Sequence, residues 1–457
     1  MIHYHTSERR VVTLRIDAGA VNPLSHLFQR ELEAQLVKLE AQGGQLAGVV
    51  VRFDKPAPAG EHEFDHLLAL TPDQAGACMR TLGAYQGLLR RLELLGAPVV
   101  AALSGAVEGH ALGLALACPR RLALADVVLR MPQVSQGLVP SGGALARAVR
   151  ASGLQAALPL LMDGLPLDAA QALQAGLLHA IAADEDALAQ LAQGAIETRP
   201  APRQPWDQAQ YRMPGGAPSA PQLQTLLQVA PAMLRQKTGG HYPAPEAILC
   251  AMVEGAQVDF ASALLIESRY FCQVATGAVA KNLMRLKRQQ RLLPAPQAGP
   301  FCAALLAAYH AEARLLAAEG LAPALIANAA GAAGMRLAPA LAATPDAGGH
   351  GTEGAAAPVT AAAPAALADV GARLLQIQCM AALAALESGA VASAAQADLA
   401  SIALCGFPSF CGGVIGLIGH LGEAAFETRA NALAAAHGTR FKLPSAWRAL
   451  ARTGESL

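Results

Sequence analysis

Two short stretches of this sequence hold groups able to exchange protons near neutrality: Glu61-His62-Glu63, and Glu108-Gly109-His110. A histidine titrates close to physiological pH and is a natural general acid or base. The second stretch also lies where one element hands over to another. Residues 99–103 (VVAAL) are β-branched or small and carry no charge, which predicts a short buried strand. Ser104-Gly105 ends it, and residues 112–118 resume as an apolar helical run. Such a handover leaves backbone N–H groups without intrahelical partners, and those favour an anion or a developing oxyanion. His179 and His310 sit in apolar helical text and read as structural.

The elements that must hold these groups follow from the surrounding pattern. Upstream, VVTLRI (11–16) alternates as a strand, 27–39 has helical spacing, and 47–52 is the next strand. Downstream come a strand at 126–130, a Pro-containing turn at 131–134 and a Gly-spaced loop at 137–143. Asp168 reads as a helix N-cap and Gly176 as the matching C-cap. The stretch 198–221, rich in Pro, Gly, Gln and Ala, predicts a linker, and the Ala/Gly/Pro/Thr text of 344–366 a flexible loop. A long helix is expected at 370–387.

Composition narrows the function classes. At 457 residues the chain can bury a sizeable core in two or three domains. Hydrophobic residues make up 53%, yet no apolar run reads as a membrane span, because residues such as His310 and Glu312 interrupt it. The start MIHYHTSERR lacks an apolar signal core, so a cytoplasmic protein is expected. Lys plus Arg (34) equals Asp plus Glu (34), so no overall field recruits nucleic acid or an anionic membrane. The basic run 281–291 reads as a solvated helix face. The eight cysteines show no C-x-x-C spacing, and buried free thiols are expected rather than a metal site or disulfides.

The text APVVAALSG, EGHALGLALAC, LRMPQ and GLVPSGG (97–143) resembles the crotonase (enoyl-CoA hydratase/isomerase) family in frame and spacing. Residues 154–181 are similar to the family's closing helix-turn-helix pattern. The resemblance implies an α/β crotonase-like spiral domain over 1–190 and acyl-CoA thioester as ligand. It places the two oxyanion-hole backbone donors at His62 and His110. It places the two hydratase glutamates at Gly113 and Gln133, which neither take nor give a proton. Ser141 and Ala144 likewise stand where the family loop has glycines. Two readings follow. Either the site has drifted with no chemistry left, or acid/base work has moved to His62, His110 or Glu108.

Beyond residue 190 the text resembles the bacterial fatty-acid-oxidation multifunctional enzymes. A linker and helical connector span 191–295, with Glu267-Ser-Arg-Tyr-Phe271 and Ala280-Lys-Asn282 as matching text. Residues 296–457 resemble the all-α C-terminal domain of 3-hydroxyacyl-CoA dehydrogenases in two repeats, with Gly406-Phe-Pro-x-Phe-x-Gly-Gly413 as the specific motif. That family's catalytic asparagine falls on Ala303, and no G-x-G-x-x-G fingerprint precedes it. The resemblance therefore implies no NAD, no hydride transfer and no metal. It implies a subunit in a hetero-oligomer with an active crotonase, a multifunctional subunit or a thiolase.

Overall fold

A computed structural model describes residues 1–54, 64–198, 203–341 and 364–452. Glu61, His62 and Glu63 lie outside the described residues, as does most of the low-complexity stretch 344–366. The first unit, Met1–Ala280, opens with a hairpin: β1 (Ile2–Thr6) runs antiparallel to β2 (Val11–Asp17). After α1 (His26–Gln42) come β3 (Gly48–Asp54), α2 (Asp65–Ala69), α3 (Ala75–Glu93), β4 (Val99–Leu103) and β5 (Ala106–Glu108). Then follow α4 (Gly109–Leu116), β6 (Arg120–Leu124), β7 (Val128–Arg130), α5 (Ala144–Ser152) and α6 (Leu154–Met162). The α/β part closes with β8 (Leu167–Asp168), α7 (Ala169–Gln174), β9 (Ala180–Ala182) and α8 (Glu185–Glu197).

The six-stranded sheet has the order β1-β2-β3-β4-β6-β9, parallel apart from β1. A second sheet, β5-β7-β8, lies at the handover the sequence marked. Alternation sets the faces of the large sheet, because successive side chains of a strand point to opposite sides. Val12, Leu14, Ile16, Val49 and Val51 are fully buried on one side. On the other, Val11, Val100, Ala102 and Leu122 pack against Leu188, Ala192 and Ile196 of α8. Gly48 is small for a reason: a Cβ there would sit 2.7 Å from Ile196 and 3.1 Å from the Pro98 carbonyl. Asp168 caps α7 as its sequence context suggests, accepting from the Gln171 N–H at 2.8 Å.

The connector helices of the first unit are α9 (Pro221–Thr238), α10 (Pro243–Gly255) and α11 (Phe260–Ala275), of which α10 and α11 join the α/β part through buried polar bonds. A further buried acceptor is Glu93 at the end of α3, 4% exposed, which accepts from Arg147 Nε (2.8 Å), Gln204 Nε2 (3.3 Å) in the segment before α9, and Arg90. Arg147 is fully enclosed, so this ion pair works at low dielectric and each partner depends on the other.

The second unit, Lys281–Leu457, contains most of α12 (Ala278–Leu292), then α13 (Pro300–Ala318), α14 (Pro323–Ala332) and α15 (Pro364–Glu387). It ends with α16 (Ala394–Cys405), α17 (Gly416–Leu421), α18 (Glu423–His437) and α19 (Trp447–Ala451). Positions 364–366, expected in a loop, already belong to α15. Two helices here, Pro300–Ala318 and Leu367–Glu387, have the length and composition to cross a membrane, as buried core helices also do, which is consistent with the expectation of no membrane span. Both bury polar partners inside the unit: Arg373 Nε donates to Glu312 at 2.5 Å, and Arg440 Nε donates to the same carboxylate at 2.7 Å. All eight cysteines are free thiols.

Candidate functional site

The strand-helix handover is built from positive-φ glycines and the first turn of α4. Gly105 (φ +62°) ends β4, and Gly109 (φ +57°) lets β5 pass into the helix. Glu108 occupies the N-cap position with extended backbone and no capping side-chain bond, and its side chain is exposed. His110 follows in the first turn, so its backbone N–H has no intrahelical acceptor, as an oxyanion donor requires. Its imidazole is enclosed at Nδ1, which has no hydrogen-bond partner, and burial pulls its pKa down to about 4. Neutral at pH 7 and weakly basic, it is poorly matched to proton abstraction at neutrality. His179 and His310 are structural: their Nδ1 atoms accept backbone N–H bonds from Arg121 and Ala340, each at 3.1 Å.

Gly113 lies in α4 against the start of α5. A Cβ added there would meet the Ala144 Cβ at 3.0 Å. The two helices approach this closely because both positions are small, and any side chain at 113 would require Ala144 to give by a few tenths of an ångström. Gln133 is 3% exposed, and its Nε2 sits 3.3 Å from where a Cβ on Gly109 would stand. Its Oε1 accepts no hydrogen bond. Two more buried groups without partners stand here, Ser141 Oγ in the loop before α5 and Tyr85 Oη on α3. Tyr85 packs so closely on this loop that a Cβ at Gly142 (φ +73°) would come within 2.8 Å of its ring. The place is thus polar and enclosed, but amide and hydroxyl groups stand in it where paired carboxylates would do acid/base work.

One functional contact was not read from the sequence. Glu267 of α11, fully buried, accepts from the Gly143 N–H (2.5 Å) and the Ala146 N–H (3.0 Å), closing the amino end of α5. Burial raises its pKa to about 7, against the pull of those two donors and of Arg147. A lone glutamate in an apolar helix and a Gly-Gly loop opening another were the available signals, 124 residues apart. Ala303 is exposed on α13 in the second unit.

Comparison with known proteins agrees with this frame. The enoyl-CoA hydratase/isomerase family model matches residues 7–228. That region of the chain is thus similar to the crotonase family, in agreement with its handover and Gly-rich loops. Fatty acid oxidation complex subunit alpha from Shewanella loihica is 28% identical over 264 residues, 57% of this chain and 37% of that protein. The match therefore spans little more than a third of the relative's length. Among solved structures, an enoyl-CoA hydratase/isomerase from Cupriavidus metallidurans is 26% identical with a TM-score of 0.38, covering 43% of this chain and 72% of that one. An enoyl-CoA hydratase from Shewanella pealeana is 21% identical, also with a TM-score of 0.38, covering 43% and 73%.

Proposed function

We propose that this chain is a non-catalytic, acyl-CoA-binding or scaffolding subunit of fatty-acid β-oxidation type, acting beside an active homologue or a thiolase. One observation carries the reading: a Cβ at Gly113 would stand only 3.0 Å from that of Ala144, while Gln133 supplies an amide at the other hydratase position. Loss of a carboxylate alone could be a recent change. A helix seam closed over the vacated position means the packing has adapted to its loss. The first-turn N–H of His110 is still placed to hold a thioester carbonyl, and binding needs no proton transfer.

The domain scheme of 1–190, 191–295 and 296–457 belongs to this proposal, as does a dehydrogenase C-terminal-like reading of the last segment. With Ala303 in place of that family's asparagine and no dinucleotide fingerprint, we expect neither NAD binding nor hydride transfer. A cytoplasmic location fits the same pathway. The test is calorimetry with crotonyl-CoA alongside a hydration assay. Saturable binding without turnover supports the proposal, and hydration well above background overturns it.

A second reading keeps an enzyme, a crotonase acting on an unusual CoA thioester through His62, His110 or Glu108. The unpartnered His110 Nδ1, Ser141 Oγ and Tyr85 Oη favour it, because buried polar atoms rarely stay unpaired. Turnover that His110→Gln abolishes while leaving thioester affinity intact would select this reading.

A further inference from the structure

Arg150, at the carboxyl end of α5, is 4% exposed and has no carboxylate in hydrogen-bond contact. Its Nη2 is held by two backbone carbonyls, Val258 O at 2.7 Å and Gly255 O at 3.2 Å. Its Nη1 is buried and donates to nothing. Arg90 and Arg147, which share the Phe260 ring with it at 5.0 and 5.3 Å, are paired with Asp207 and Glu93: Arg90 meets both carboxylates and Arg147 meets Glu93. Arg150, itself 5.3 Å from that ring, is the cation of this cluster whose charge no carboxylate meets in hydrogen-bond contact, Asp259 acting on it only through space. Burial works against its charge.

The same side chain lines a cavity of about 500 Å³, within the range of small-molecule sites. Trp206, Met213, Ala217, Val258 and Phe260 give it apolar and aromatic walls. The Trp206 indole, stacked on Phe260 at 5.1 Å, carries a second buried donor without a partner, Nε1. Asp259 also lines the cavity, but its carboxylate is engaged by the Ser262 N–H (3.0 Å) and hydroxyl (2.6 Å) as the cap of α11. Six residues of helix separate Ala144 from Arg150, about 9 Å at 1.5 Å per residue, and none of the crotonase site positions lines this cavity.

We propose that this cavity is a binding site for a small monocarboxylate with an apolar body, its carboxylate taken by the Arg150 guanidinium and the Trp206 indole N–H. Two arginines, Arg150 and Arg212, line the cavity against one aspartate, Asp259, and that excess of one positive charge calls for one negative charge. Two buried donors with no acceptor call for an oxyanion, because an unmade hydrogen bond in the interior costs about 1–3 kcal/mol. The aromatic and aliphatic walls call for a hydrocarbon or aryl remainder. Both nitrogens are buried, so a ligand that reaches them must shift the Trp206 ring. That shift is observable, since Trp447 is the only other tryptophan.

The experiment titrates the full chain with sodium hexanoate, sodium benzoate, hexanol and inorganic phosphate, by calorimetry and by fluorescence of a Trp447→Phe variant. Saturable binding of hexanoate or benzoate with a change in Trp206 emission is expected, with hexanol at least tenfold weaker. Arg150→Met should weaken carboxylate binding at least tenfold. Because Arg150 also holds two carbonyls, Trp206→Phe provides a second variant that keeps the stacked ring, loses the N–H and should weaken binding severalfold by calorimetry. Carboxylate binding that is absent or indifferent to both substitutions overturns the proposal. So does phosphate binding as tightly as the carboxylates, which would make this a phosphate site.

Discussion

Each unit of this chain closes a Gly-Gly loop with a buried carboxylate, and the two closures differ in their company. In the first, Glu267 takes the N–H groups of Gly143 and Ala146 beside Arg147, whose charge draws it toward ionisation. In the second, Asp398 takes the N–H groups of Ile415 (2.6 Å) and Gly416 (3.0 Å), and those two donors are all that opposes its desolvation. Both stand at about 7, lifted from 4.5 and 3.8. Backbone amides alone are enough to bury a carboxyl group at a loop. The cation in the first unit serves something further, a polar network that binds the connector to the α/β sheet.

Removing that cation is the strongest way to break the comparison. Arg147→Met should take from Glu93 its fully enclosed cation, leaving it only Arg90 and Gln204, and cost about 3 kcal/mol in urea unfolding. Arg147→Met with Glu93→Leu should recover much of the loss, and a double variant as unstable as the single would show that no paired charge was involved. Next in size, Asp398→Ala leaves two buried N–H groups unanswered, for roughly 2–4 kcal/mol from lost bonds and desolvation. The damage should appear in the second unit, read by hydrogen exchange of the 412–418 amides.

A smaller effect sharpens the likeness. Both carboxyls hold a proton in the folded chain between about pH 4 and 7 that they lose in the unfolded chain. Their contribution to stability is complete below about 4 and disappears as pH rises through about 7. The melting temperature should therefore fall from pH 5 to 8, and Glu267→Gln with Asp398→Asn should flatten that slope. A slope unchanged by the double variant would remove these groups from the pH response. The smallest expected effect tests the closed seam. Gly113→Glu should destabilise the first unit by about 1–3 kcal/mol through overpacking, and Ala144→Gly should relieve it. Neither that pair nor Gly113→Glu with Gln133→Glu should hydrate crotonyl-CoA strongly, since a misplacement of about 1 Å can cost about 100-fold in rate.

The strands at 11–16, 47–52 and 99–103 were legible because β-branched runs bury both faces of a parallel sheet. β1 was not, because its text IHYHT buries little besides Ile2 and stands at the sheet edge. β6 was hidden by its opening Arg120-Arg121, where Arg121 is buried only because the carbonyls of Leu177 (2.6 Å) and Cys118 (2.8 Å) receive it. At the site, Gly113 and Ala144 were each visible as departures from the crotonase pattern. That they answer one another became visible only when α4 and α5 were brought together, because residues 31 positions apart leave no periodic signal of contact. The Arg150 cavity had no signature, since its walls come from three separate stretches of chain.

The reach of Glu267 into the loop before α5 bears on how such a gene can be divided. The crotonase match stops at residue 228, while the carboxylate that completes its last loop is encoded about forty codons later. The carbonyls that hold Arg150, at Gly255 and Val258, also lie past that border. A split or fusion at the edge of the inherited family segment would separate donors from the acceptors they were built around. The border of descent and the border of self-sufficiency therefore fall at different codons, and the connector cannot be replaced by an arbitrary linker.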